Sequence, residues 1–163
     1  MNNKITIEYQ ELDDWSLLSY SEHKLILKAT EAAENAYAQY SNFYVGAAVE
    51  IENGHIIVGN NQENASYPCG ICAERVALFS AHANYPDSVV KRIAITAFSK
   101  DFNINQPTAP CGLCRQVMLE FEEKQKTDIN ILLFDTKKII KIAKAKDLLP
   151  MYFQENQLKI LKK

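Results

Sequence analysis

The chain has 163 residues, 47% hydrophobic and 23% charged, the size and balance of one globular domain with a full core. A net charge of −2 and a pI near 5.9 argue against a polyanion-binding protein, which needs clustered Lys and Arg. No apolar run approaches the ~18 residues of a membrane span, and the opening Met1-Asn2-Asn3-Lys4 lacks the features of a signal peptide, so a cytoplasmic protein is expected.

In chain order, residues 1–20 are hard to place. Ile5, Ile7 and Tyr9 alternate like an edge strand, whereas Leu12, Trp15, Leu17 and Leu18 suit a short helix. Residues 1–21 are therefore expected to be an N-terminal extension docked on a catalytic domain of residues 22–163. Helical spacing of Leu25, Ile26, Ala29, Ala32, Ala33, Ala36 and Tyr37 predicts a helix over 22–40, with Ser21 as N-cap. Strands are expected at 44–51 and 55–60, joined by the turn Glu52-Asn53-Gly54. A helix over 72–84 stops before Pro86; a Val- and Ile-rich strand follows from Val89 to Phe98. A helix at 112–124, a strand at 129–134, a weaker Lys-interrupted strand at 139–143 and a short helix near 146–149 complete the series. A hairpin followed by strand–helix alternation implies a mixed sheet covered by helices. Lys137, Lys138, Lys141, Lys144 and Lys146 form the densest basic stretch, read as a solvated face.

The chemistry concentrates in Cys72-Ala73-Glu74-Arg75 and Pro110-Cys111-Gly112-Leu113-Cys114, each at the start of an expected helix. On a first helical turn Cys111 and Cys114 share a face, and side chains there tilt toward the space ahead of the helix. Helix N-termini favour thiolates, so two such ends meeting would make a three-thiolate pocket. Three protein ligands leave a fourth position for water, which characterises a catalytic zinc. The metal lowers the water pKa toward ~7. Glu74 is then a general acid/base beside the metal, and Arg75 a cation able to donate to a ligand sulfur.

The same cysteines admit a rival. Cys69-Gly70-Ile71-Cys72 with Cys111-x-x-Cys114 is a paired CxxC pattern, the mark of a closed structural zinc. The long gap between the pairs, a core large enough to need no metal, and a Glu74 without purpose in a closed site weigh against it. A third alternative takes all four cysteines as buried apolar residues.

Cys-x-Glu followed by Pro-Cys-x-x-Cys matches the signature of zinc deaminases. The sequence resembles the small homotetrameric type of cytidine deaminase in Tyr40-Ser41-Asn42-Phe43-Tyr44-Val45-Gly46-Ala47-Ala48, Asn61-Gln62-Glu63-Asn64-Ala65-Ser66-Tyr67, Cys72-Ala73-Glu74-Arg75 and Pro110-Cys111-Gly112-Leu113-Cys114-Arg115-Gln116. Leu148-Leu149-Pro150 with Phe153 resembles the family's C-terminal motif. The resemblance implies a three-layer α/β/α fold with a five-stranded mixed sheet. It implies one Zn2+ per subunit and a homotetramer with sites at subunit interfaces. The substrate would be a small nucleoside, with neither a nucleic acid polymer nor a membrane as partner. Asn61 and Glu63 match residues that hold the ribose, and Phe43 an aromatic that packs on the pyrimidine. Tyr67 and Ala73 lie in ligand-binding segments, and Phe153 matches a residue that reaches a neighbouring subunit's site. Glu74 would move protons from water to N3 of the base and to the leaving amine.

Two positions depart from the family pattern. Cys69 is an added cysteine, expected to be a spare. Gln62 replaces a more usual aliphatic residue and is expected to point away from Asn61 and Glu63. His23, His55 and His82 match no role. Three functions are weighed: a deaminase of cytidine and deoxycytidine in pyrimidine salvage, a deaminase of another small substrate such as blasticidin S, and a non-enzymatic zinc module.

Overall fold

The computed structural model describes residues 1–155. Its elements are strand β1 (Gln10–Leu12), helix α1 (Tyr20–Glu34), β2 (Phe43–Ile51), β3 (Ile56–Asn60), α2 (Ala73–Asn84), β4 (Val90–Ser99), α3 (Gly112–Gln125), β5 (Asn130–Phe134) and β6 (Ile139–Ile142). Short 3-10 turns occupy Trp15–Leu17, Tyr67–Cys69 and Ala145–Leu148.

The strands form one mixed sheet in the order β1-β6-β5-β4-β2-β3, antiparallel except for β4 with β5. Side chains alternate between its faces. Ala47, Val49, Ile51, Ile93, Ile95, Ile131 and Leu133 pack with Ala77, Leu78 and Met118 from α2 and α3. Ala48, Ala94, Leu132 and Phe134 pack with Leu25, Ile26 and Ala29 of α1. This is the expected three-layer arrangement.

The sheet has six strands where five are expected. The sixth is β1, whose Gln10, Glu11 and Leu12 lie opposite Lys141, Ile140 and Ile139 of β6. An ion pair between Lys138 and Glu11 adds to the pairing. Ile5, Ile7 and Tyr9 are exposed and lie outside the strand. The strand begins five residues later than their alternation suggests, because cross-strand partners set its place.

Helix α1 also differs from the expected 22–40. Ser19, not Ser21, caps it, and Glu22 completes a capping box with Ser19. It ends at Glu34 because the chain beyond is drawn into pairing. The Tyr37 N–H donates to the Asn61 carbonyl (3.0 Å) and the Glu63 N–H to the Tyr37 carbonyl (2.8 Å).

Topology places the site. Strand β2 is antiparallel to both β3 and β4, so β3, β4 and β5 all run the same way. The helices that follow β3 and β4 therefore both start near the carboxyl edge of the sheet. Phe43, opposite Ser99 at the end of β4, lies at that same edge.

Candidate active site

Cys72 is the N-cap of α2 and Cys111 the N-cap of α3; neither side chain is spent on a capping hydrogen bond. Both sulfurs are therefore available to face the gap between the two helix ends. Cys114, in the first turn of α3, is fully buried. The Cys72 and Cys111 sulfurs are 3.9 Å apart and those of Cys111 and Cys114 3.5 Å. All three lie within 4.8 Å of one another. Tetrahedral zinc with Zn–S bonds of ~2.3 Å requires sulfurs ~3.8 Å apart. Three soft thiols at this spacing fit Zn2+. Exposed Cys69 is not among them, so the sulfurs converge as three rather than four.

Cys72 and Cys114 are shifted in opposite directions. The Cys114 thiol hydrogen-bonds to Cys72 and, against the cost of burial, draws its pKa down to about 5; Arg75 adds to the effect. The Arg75 guanidinium donates to the Cys72 sulfur at 3.5 Å. Cys114 is raised in turn, first by its bond to Cys72 and then by burial.

Glu74 is only 4% exposed. Burial pushes its carboxyl up, and the charge of Cys72 adds to this. Ala73 is fully buried at the first position of α2, so its backbone is what it can present to a ligand.

Beside Cys72 opens a cleft of about 460 Å³, lined among others by Tyr40, Asn61, Glu63, Tyr67 and Ile71. Four of the sequence-predicted residues, Asn61, Glu63, Tyr67 and Cys72, thus share one cavity. The Asn61 side chain clamps the start of β2: its Oδ1 accepts from the Val45 N–H (2.8 Å) and its Nδ2 donates to the Phe43 carbonyl (2.9 Å). Its second lone pair and second amide hydrogen are left for a ligand. Glu63 accepts from the Tyr40 N–H (2.9 Å), the Ser41 N–H (3.2 Å) and the Ser41 hydroxyl. Burial works to raise its pKa, but these donors outweigh it and hold the carboxyl below the usual range.

Phe43 does not line the cleft; its ring stacks on Phe102, centroids 6.2 Å apart. Phe153 is 64% exposed and its carbonyl accepts from the Gln116 amide at 3.1 Å. The Gln62 side chain turns away to Asn60 (2.5 Å), as expected. Sequence reasoning assigned no role to Tyr40 and Ser41, which seat Glu63. The signal available was a polar turn just before β2, where Asn42 takes a φ of 52°.

A larger cleft of about 640 Å³ lies elsewhere, bordered by Tyr9, Glu22, Arg92 and Lys141. Its cations are engaged, Lys141 with Glu22 (2.6 Å) and Arg92 with Glu50 (2.8 Å), and it contains no thiol. The smaller cleft is the one that Cys72 of the thiol cluster borders.

Three converging thiols beside a buried carboxylate, at the carboxyl edge of a mixed sheet, define a zinc-binding α/β protein. A model of the cytidine and deoxycytidylate deaminase zinc-binding region matches residues 19–127, and the chain belongs to that family. It is 49% identical over 96 residues to a cytidine deaminase of Halalkalibacterium halodurans, covering 59% of this chain and 68% of that protein. It superposes on a crystal structure of cytidine deaminase from Burkholderia pseudomallei with a TM-score of 0.70 and 40% identity, over 83% of this chain and all of that one. A cytidine deaminase from Mycobacterium tuberculosis gives a TM-score of 0.65 at 29% identity, over 83% of this chain and 99% of that one.

Proposed function

We propose that this chain is a hydrolase that deaminates cytidine and deoxycytidine to the uracil nucleosides, releasing ammonia, in pyrimidine salvage. The observation that carries this reading is the single cleft joining Asn61 and Glu63 to Cys72, with Glu74 two residues on in the first turn of α2.

Cys72, Cys111 and Cys114 would hold Zn2+, which when bound acidifies and orients a water. Everything else falls to the side chains. Glu74 takes a proton from that water and delivers it to N3 of the base, which makes C4 electrophilic. The water oxygen bonds to C4, Glu74 carries its remaining proton to the exocyclic amine, the C4–N bond breaks and ammonia leaves, and the oxygen stays as the C4 carbonyl; one water is consumed per ammonia released. The burial of Glu74, which raises the carboxyl's pKa, supports this role, because the stronger base takes the proton more readily and still gives it up to the amine. The Ala73 backbone faces the base, and Phe43, stacked on Phe102 outside the cleft, reaches its ring only by turning off that stack. Asn61 and Glu63 bond the ribose hydroxyls, and a site built for a hydroxyl rejects ligands lacking it. Tyr67 closes the cleft wall.

The active form is a homotetramer in which the exposed Phe153 reaches a neighbouring subunit's site. Residues 1–21 are an extension docked on the catalytic domain, to whose sheet they add β1. Ammonia release measured with cytidine, deoxycytidine, cytosine, deoxycytidylate and blasticidin S tests the substrate. Turnover of the two nucleosides alone is expected; turnover of none, with zinc bound, overturns the enzymatic reading.

A further inference from the structure

Helix α3 supplies two of the three thiols, and its next residue makes contacts that the proposed reaction does not use. The Arg115 side chain folds back along the helix. Its Nε donates to the Pro110 carbonyl at 2.8 Å and its Nη1 to the Leu148 carbonyl at 2.9 Å. Pro110 is buried and directly precedes Cys111. Leu148 ends the turn Ala145–Leu148 that leads to Phe153.

Two helical turns along α3, Glu122 holds the other end of that turn. It is 5% exposed and accepts from the N–H groups of Ala145 (2.6 Å), Lys146 (2.9 Å) and Ile129 (2.7 Å). The carboxylate takes the turn's N–H groups and the guanidinium takes its closing carbonyl. Gln116, beside Arg115, then holds the Phe153 carbonyl.

We propose that Arg115 is a positioning residue that couples the metal pocket to the C-terminal segment. One rigid guanidinium spans the carbonyl ahead of Cys111 and the carbonyl that ends the C-terminal turn. Moving either strains the other. Arg115 differs here from Arg75, which donates to a ligand sulfur. The coupling is reciprocal: a metal that fixes Cys111 also steadies residues 145–153, and loss of that segment's anchor loosens the metal. The inference rests on the three-thiol zinc reading.

The test measures zinc affinity by chelator competition, and hydrogen exchange of residues 145–153 with and without zinc. In the wild-type protein, zinc is expected to slow exchange in that segment. Arg115→Ala is expected to weaken zinc by ~10–100-fold, the usual cost of losing a residue that orients ligands. It should also leave exchange in the segment fast whether or not zinc is bound. Arg115→Lys, whose donors all sit on one nitrogen within reach of one carbonyl, should restore only part of the affinity. Wild-type exchange that ignores zinc overturns the proposal, even if Arg115→Ala fails to fold. So does an Arg115→Ala protein that binds zinc as tightly as wild type. A wild-type protein that binds no zinc overturns the metal reading on which the proposal rests, and the proposal with it.

Discussion

Gly59 of β3 lies so close to Ala73 of α2 that a Cβ on the glycine would fall 2.4 Å from the Ala73 carbonyl oxygen. The Ala77 N–H nitrogen would be 2.5 Å away. The helix that begins at Cys72 and carries Glu74 therefore rests on bare backbone, and any side chain at 59 must lift it. Gly59→Ala is expected to cost about 1–3 kcal/mol, the range for overpacking a core. For a chain of this size that lowers Tm by roughly 2–4 °C per kcal/mol. Zinc affinity should fall with it, because lifting α2 withdraws Cys72 from the other two sulfurs. Thermal unfolding together with zinc titration checks both effects.

Glu74 is not needed to hold metal in a three-thiol site. Glu74→Ala should keep zinc yet lose about 10²–10⁴-fold in kcat, the usual contribution of a positioned acid/base. Metal content and ammonia release measured on the same preparation separate the two. Full activity in the zinc-loaded variant would remove Glu74 from the mechanism.

Cys69 is exposed and lies outside the group of converging sulfurs. Cys69→Ala should bind zinc like the wild type, whereas Cys72→Ala should lose it. Equal loss in both variants, by metal analysis after dialysis, would restore the four-cysteine site.

Glu22 links the cap of α1 to β6. Its carboxylate accepts from the Ser19 N–H and hydroxyl, both at 2.8 Å, and pairs with Lys141 at 2.6 Å. Burial acts to raise its pKa, but Lys141 and Ser19 outweigh this and leave it below the ordinary value of 4.5. Because the folded pKa is depressed, the stabilisation is full above the unfolded value and is lost as pH falls through the folded one. Glu22→Ala should cost about 1–2 kcal/mol at neutral pH, the scale of a lost helix cap. The difference from wild type should shrink as the pH drops below about 4, near the ordinary carboxylate range. Urea unfolding of both proteins at each pH reads this directly, since zinc loss in acid affects them alike.

Most elements were legible because their patterns are local. The alternation through β2 and β4 and the helical spacing of α2 and α3 depend only on which side chains face the core. The boundaries that moved are those decided by distant partners. Helix α1 stops at Glu34 because Tyr37 pairs with Gln62, and helical periodicity through Ala36 and Tyr37 gives no sign of it. Strand β1 forms at Gln10–Leu12 because β6 offers it an open edge.

The sequence by itself determined the reactive groups: three cysteines and a glutamate at helix starts, whose spacing puts thiols where helix ends favour negative charge. It left open whether three or four cysteines bind, since chain spacing does not measure distance across a fold. The tertiary structure brings three of the four together. Parallel β3 and β4 start α2 and α3 at one edge of the sheet, where Cys72 meets Cys111 and Cys114 and Cys69 stays outside. Only the folded chain also ties Arg115 to Pro110 and Leu148, 33 residues apart from it in the latter case, because those bonds go to backbone carbonyls that carry no residue signature.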